Sequence, residues 1–261
     1  MDLRKIFHYF YLLTFIYWRS LWQGIALLVL LILPAFTFFA IKHINVSSRE
    51  KKFLNHLNNE NKIKSWTRKE VLRDYKFYTI LPCLLASPFV ITGIVINQSF
   101  ILESKNWGDY VLAKAFMSYS FFTVITLFIS GFLVDRFTSR NLLIYLNLPM
   151  ILSLIVLIFF DHSYSAFIFM GFMGISNGLT NVLISSFWAE IYGVNYLGSI
   201  KALTGSLMVF STALATTVFG VLIDLGYSIE NIAFLCAIYT AISIIIVILC
   251  QKYYKPILIE K

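Results

Sequence analysis

The stretch Gly131-Phe132-Leu133-Val134-Asp135-Arg136-Phe137-Thr138-Ser139-Arg140-Asn141-Leu142-Leu143 decides how the rest of this chain is read. It joins two apolar runs, Tyr110 to Val134 and Leu142 to Phe160, each long enough to cross a bilayer as a helix. Nowhere else are two such runs connected by a turn so tight and so charged. Gly131 removes a side chain where helices can approach closely. Asp135 stands where an acid can face the positive N-terminal end of a neighbouring helix, while Arg136 and Arg140 suit a cytoplasmic membrane surface.

Hydrophobic residues make up 59% of the 261 residues and charged ones only 13%, with a mean hydropathy of +0.79. So few charges cannot coat a water-soluble globule of this size. An integral membrane protein of the all-α class is expected, because a helix satisfies its own backbone hydrogen bonds in hydrocarbon. The net charge of +8 raises nucleic acid as a partner. The largest share of the Lys and Arg sits in one connecting loop, however, and that placement fits the positive-inside rule and no nucleic-acid partner. Cys83, Cys236 and Cys250 lie apart with no metal-type spacing, so neither a disulfide nor a metal follows. Arg4 and Lys5 precede an aromatic-rich run that lacks a small-residue cleavage site and leads through Trp18-Arg19 into another membrane segment, which is unlike a signal peptide.

Outward from the deciding stretch the chain divides into four parts. In residues 1–41, Lys5 to Trp18 is apolar but short for a span, Arg19 marks a turn, and Trp22 to Ile41 is the first complete span. Residues 42–76 read as a basic cytoplasmic linker, since Asn45 to Lys76 holds nearly half of the 21 Lys and Arg. Within it Thr67 caps a short helix, and Glu70 answers as the third residue of a capping box. Residues 77–250 hold six further spans: Phe77 to Leu102, kinked by Pro82 and Pro88, then Tyr110 to Val134, Leu142 to Phe160, Ala166 to Phe187, Ala202 to Ile223 and Ile232 to Leu249. Residues 251–261 form a tail. Alternation puts the linker, the deciding stretch, the Glu190 loop and the tail on one side, and together they carry about two thirds of the Lys and Arg.

The order glycine, three apolar residues, Asp135-Arg136, then Arg140 resembles the signature loop of the major facilitator superfamily, G-x-x-x-D-R-x-G-x-R. Thr138 stands where the family has its second glycine. Trp18-Arg19-Ser20-Leu21-Trp22 resembles the family's turn between helices five and six, and the run Leu81 to Phe89 its helix-seven opening. Trp188 to Gly193, followed by Leu197-Gly198-Ser199-Ile200, resembles the turn before helix eleven. The family has twelve helices in two six-helix halves. On that plan residues 1–41 are the end of helix five and helix six of an incomplete N-terminal half, residues 77–250 are helices seven to twelve, and a truncated chain is expected. The bacterial members similar to monocarboxylate and oxalate/formate carriers come nearest. Those carriers often place an Asp and an Arg in helix eight, whereas the span here is neutral after Lys114, so a carboxylate substrate is not implied. The resemblance implies a multi-pass secondary transporter of the bacterial inner membrane, with no cofactor, moving a small solute by alternating access. It also implies that Gly131, Asp135, Arg136 and Arg140 form a conformational latch, closed against helix five of the other half.

Polar residues inside spans face protein or a cavity. Asn177, Asn181 and Ser185 recur every four residues with Thr180 beside them, forming a stripe on helix ten, which lines the cavity in the family. This stripe is the first choice for solute contact; the other reading is hydrogen bonding to a neighbouring helix, at ~1 kcal/mol or less. Tyr119, Thr123, Thr126 and Ser130 make a second stripe, read as packing glue or as solute contacts. Thr92, Asn97 and Gln98 lie in the outer half of helix seven, another cavity-lining helix in the family, where Thr92 and Gln98 are further candidates for solute contact and Gly93 permits bending. Gly174-x-x-x-Gly178, and Gly205 with Ser206, Ser211, Ala213 and Ala215, signal close packing. Leu142 to Phe160 and Ile232 to Leu249 are nearly all large and apolar, as for an outer, lipid-facing pair. All thirteen Asp and Glu fall in loops or at helix ends, so no proton-coupling carboxylate lies at mid-membrane, and His8, His43, His56 and His162 have no ligand spacing.

A membrane enzyme would need His-Glu-x-x-His, paired aspartates or a Ser/His/Asp set near an interface, and none is present. Two readings remain. One is solute transport; the other is an inactive half-transporter acting as a membrane interaction or assembly subunit. A single half supplies one wall of a pathway, so beside the lipid bilayer the expected partner is a missing N-terminal half or a second chain.

Overall fold

The structure, a computed structural model, describes residues 19–20, 22–38, 64–108 and 110–255. The expectations on Lys5 to Trp18, on most of the linker, on His8, His43 and His56, and on the last residues of the tail lie outside them. The chain divides into two units, Met1–Asn61 and Lys62–Lys261. In the first, Trp22–Phe38 is an apolar helix in which Thr37 returns its hydroxyl to the carbonyl oxygens of Leu33 and Pro34. That bond hides a polar group that hydrocarbon would leave unsatisfied.

The second unit has six helices long and apolar enough to cross a membrane, and among the described residues no strand. They are α1 (Tyr75–Ile96), α2 (Val111–Phe137), α3 (Ser139–Phe159, regular from Leu148), α4 (Ser165–Tyr192), α5 (Leu197–Asp224) and α6 (Ile229–Cys250). Local chemistry sets their ends. The Asp74 carboxylate caps α1 by accepting from the Lys76 N–H at 3.1 Å. Pro149 sits in the first turn of the regular part of α3, where its missing N–H costs nothing. Gly193 (φ 74°) and Gly226 (φ 82°) turn the chain out of α4 and α5 through left-handed conformations.

Helix α1 departs from its expected length. The apolar run continues to Leu102, but the helix stops at Asn97, whose side-chain amide donates to the Gly93 carbonyl at 2.8 Å. An amide bonded to its own backbone competes with the next helical turn. Gln98–Ser104 follows as a separate short helix. Pro82 and Pro88 lie within a continuous α1.

Packing within this unit is internally repeated. Helix α1 packs on α5 and α6, and α4 packs on α2 and α3, while α3 meets α6 and α1 meets α4. Exchanging the first three helices for the last three maps these contacts onto one another, with a smaller α4–α5 contact left unmatched, which is what two related three-helix repeats produce. Helices α1 and α4 are the most buried. The least covered are α2 and α5, rather than the large-apolar α3 and α6.

The α2–α4 seam is the closest contact. A Cβ on Gly174 would collide with the Tyr119 carbonyl oxygen, and one on Gly178 would lie 2.8 Å from Thr126 Cβ. Small residues at these positions let two backbones meet without a hydrophobic driving force. At Gly131 and Gly205 a Cβ would meet nothing within 4 Å, so the close approach expected at those two glycines is not made here. Gly93, expected as a bending point, instead makes room for the Phe219 ring of α5.

Away from the deciding stretch, the opposite end is riveted by Lys105. Its buried ammonium meets Asp161 at 2.5 Å and Glu230 at 2.8 Å, and the Trp107 indole donates to the Asp161 carbonyl at 2.6 Å. Three connections are thereby tied together. Burial pushes Lys105 down, but its bonds to the two carboxylates outweigh that and hold it above the ordinary lysine range. This stabilisation is fully present below the unfolded value of ~10.4 and is lost as pH rises through the raised folded one.

Two comparisons of melting temperature in detergent test this packing. Gly174→Ala should destabilise by ~1–3 kcal/mol through overpacking, whereas Gly205→Ala should leave melting unchanged. Asp161→Asn combined with Glu230→Gln strands a buried cation and should cost more than Lys105→Met, which leaves two partly solvated acids. Equal effects within either comparison would contradict the packing described.

Candidate functional site

Where α2 ends, Thr138 adopts φ 63° and ψ 144°. In this region a β-branched residue clashes with its own backbone, while glycine fits freely. It is the position at which the resembled loop carries its second glycine. The turn survives the exchange, with the Thr138 N–H still bonded to the Val134 carbonyl at 3.1 Å, so the strain rests on Thr138.

The acid that holds this turn within the bundle is Glu190, not Asp135. Glu190, in the last turn of α4, accepts from the backbone N–H of Ser139 at 2.8 Å and of Arg140 at 3.2 Å. These are orphan donors at the start of a helix, where a carboxylate is favoured. The Arg140 guanidinium donates to the Tyr254 carbonyl at 3.1 Å. Asp135 and Arg136 stay exposed, and Arg136 lies over the adjacent Phe137 ring at 5.4 Å. Glu190 was visible in the sequence only as an acid closing an apolar run. Nothing local paired it with residues some 50 positions earlier.

The same end is fastened by aromatic residues. Buried Asp74 accepts the Tyr192 hydroxyl at 3.0 Å, and Tyr192 stacks on Trp188 and meets Trp66 edge-on at 5.4 Å. The Trp66 N–H donates to the Tyr192 carbonyl at 2.9 Å. Tyr254, fully buried after α6, pairs its hydroxyl with Thr79 at 3.1 Å. Both the segment entering α1 and the segment leaving α6 are therefore seated on the helix ends. The capping box forms as expected. The Thr67 N–H donates to the Glu70 carboxylate at 2.7 Å, and this bond, with Lys64 and the Thr67 hydroxyl, holds the carboxyl down to about 2.

The expected solute contacts fall into three groups. On α4, Asn177 is half-buried and Asn181 exposed, and the Asn181 amide donates to the Asn177 carbonyl at 2.9 Å. Tyr119, half-buried on α2, interacts with the Asn177 side chain across the seam. Other hydroxyls are turned into backbone. Thr180 is buried and donates to the Ser176 carbonyl at 2.8 Å, and Thr123 donates to the carbonyls of Tyr119 at 2.7 Å and Gly174 at 3.1 Å. Thr92 is half-buried on α1, while exposed Gln98 lies beyond the Asn97 break, at the end opposite Glu190. Helix α5 adds exposed Ser206, Thr216 and Thr217, which were not expected as contacts. The middle of α4 and of α5 carries no charged residue. Such a surface can donate and accept hydrogen bonds but cannot neutralise an ion.

Thr138→Gly should raise the melting temperature, by the equivalent of ~1–3 kcal/mol of relieved strain, and Glu190→Gln should lower it. A glycine variant no more stable than its parent would contradict the strained turn.

No curated protein matches the chain. The sequence does match the Major Facilitator Superfamily over residues 10–216, which takes in the deciding stretch, the Glu190 turn and most of the span-length helices. With six apolar helices of membrane-crossing length around that turn, the chain belongs to the Major Facilitator Superfamily of membrane transporters.

Proposed function

We propose that Tyr75–Cys250 is one six-helix wall of an alternating-access carrier for a small, uncharged, polar solute. The observation that supports this reading most is Asn181. It is exposed on α4, one of the two most buried helices of the bundle, inside a stretch of membrane-crossing length. An amide at that depth is costly against lipid and suits a water-filled pathway. Asn177 and Tyr119 extend the polar surface, and the neutral middle of α4 and α5 suits a solute recognised by hydrogen bonds.

A second wall of similar size, on the same chain or another, completes the pathway and rocks against this one. Gly131, Asp135 and Arg136 are the part of the loop left for it. Space at Gly131 is open and the two charges are exposed, whereas Arg140 is held inside the bundle. Asp135 and Arg136 thus act as the latch between walls, and Glu190 keeps their turn in shape. The concentration of Lys and Arg in the linker, the loop and the tail supports a cytoplasmic location for this end, and the proposed setting is a bacterial inner membrane.

Cysteine accessibility tests the pathway. With Cys83, Cys236 and Cys250 replaced by Ser, Asn181→Cys in native membranes should react with a charged, membrane-impermeant thiol reagent. Phe128→Cys, on an exposed stretch of α2 lined by large apolar side chains, should not. An Asn181→Cys variant as unreactive as the Phe128→Cys control would overturn the reading.

A further inference from the structure

Helices α5 and α6 follow one another in the chain yet barely touch beyond their connecting turn; each leans instead on α1. Between the three lies a cavity of about 420 Å³, lined among others by Leu85 and Phe89 of α1, Leu214 and Val218 of α5, and Leu235 and Cys236 of α6. We propose that this cavity is a binding site for one acyl chain of a membrane phospholipid.

The lining asks for a purely apolar guest. Its two hydroxyl-bearing residues are already satisfied, since Ser211 donates to the Leu85 carbonyl at 3.2 Å and Tyr239 to the Pro82 carbonyl at 3.0 Å. Water held there would lack the two to four polar partners that it needs. The volume falls within the ~300–1,000 Å³ range of sites that enclose small ligands.

Length and direction select a lipid chain. Both Phe210 and Leu222 line the cavity, so it follows α5 for twelve residues, about 18 Å at ~1.5 Å per residue. One leaflet contributes about half of the ~30 Å hydrocarbon core. The cavity starts near the middle of α5 and ends close to its C-terminus, as a chain does that enters from the headgroup level and stops at mid-membrane. Its rim, formed by Phe210, Leu214 and Leu235, is exposed and wholly apolar on helices long enough to cross a bilayer, which suits an opening sideways into hydrocarbon.

The related helix pair shows that the space is a built feature. Under exchange of the two repeats α5 on α1 corresponds to α2 on α4, and that pair is brought together by Gly171, Gly174 and Gly178. Helix α1 presents Pro88 and Phe89 instead, with Gly93 already occupied by the Phe219 ring. Lipid tails are as apolar as these side chains, so no hydrophobic force closes the gap. Empty, its walls would lose dispersion contacts that an acyl chain restores.

Photo-crosslinking tests the site. The full chain is placed in phosphatidylethanolamine nanodiscs doped with a phospholipid that carries a diazirine in mid-chain, and adducts are mapped by peptide mass spectrometry. Adducts at Leu214, Leu235 and Cys236 should exceed those at Phe128 and Phe132 of α2, which are at least as exposed, by several-fold. Leu214→Trp and Leu235→Trp, both at the exposed rim and each checked for folding by its melting curve, should reduce the cavity adducts and leave those on α2 unchanged. Equal labelling of cavity and α2, or labelling unaffected by both tryptophans, would overturn the proposal. So would efficient cross-links from Cys236 to a second copy of the chain, since a protein would then fill the cavity.

Discussion

Inside a bilayer a side-chain hydroxyl or amide donor without an acceptor has no water to turn to. Helix α1 supplies such acceptors in its middle, where backbone carbonyls use a second lone pair to take bonds from neighbouring helices. Three neighbours converge on this stretch. Tyr239 of α6 donates to the Pro82 carbonyl at 3.0 Å, Asn147 at the head of α3 donates to that of Cys83 at 2.7 Å, and Ser211 of α5 donates to that of Leu85 at 3.2 Å. Each such bond is worth only ~0.6 kcal/mol on average. Together they fix α1 against α3, α5 and α6, and the rest of the bundle is arranged around that hub.

The second hub, α4, is built by different means. Glycines on α4 let α2 lie against its backbone, and Thr123 bonds across the seam to the Gly174 carbonyl. The two repeats share a pattern of contacts but not the chemistry that makes them. One pair of helices is sealed by small residues. The other is held by side-chain hydrogen bonds at one level and gapped above it, where the lipid site is proposed. The ends are treated differently as well. Lys105, Asp161 and Glu230 rivet the end opposite the signature loop. At the loop end Glu190, Arg140, Asp74, Tyr192 and Tyr254 make an aromatic and hydrogen-bonded mat. A bundle fastened at both ends moves as a unit, which is what the proposed rocking about a central pathway requires.

Much of this was legible in the sequence because it depends on composition and on short-range order. Six apolar runs of spanning length, the charged turn at Asp135-Arg136 and the Thr67/Glu70 box are local signals, and each appears where it was read. The end of α1 was not legible, since hydropathy continues to Leu102 and only the Asn97 side chain, bonded back to Gly93, stops the helix. Helix periodicity grouped Asn177, Thr180 and Asn181 but could not tell that Thr180 bonds its own helix while Asn181 remains exposed. The partner of the loop was hidden for another reason: Glu190 is distant in sequence and becomes a cap only when α4 runs beside the start of α3. The departure at Thr138 was visible, but its meaning, a threonine held at φ 63°, needed the backbone.

The most direct test of the α1 hub is amide hydrogen exchange over Ile80–Val90 in the combined variant Asn147→Leu, Ser211→Ala and Tyr239→Phe. With three interhelical bonds of ~0.6 kcal/mol each removed, exchange in that stretch should quicken on the order of tenfold. Exchange in the α2–α4 seam should stay as it was. Unchanged exchange in α1, or a uniform rise through all six helices, would contradict the claim that the bundle is organised around the carbonyls of α1.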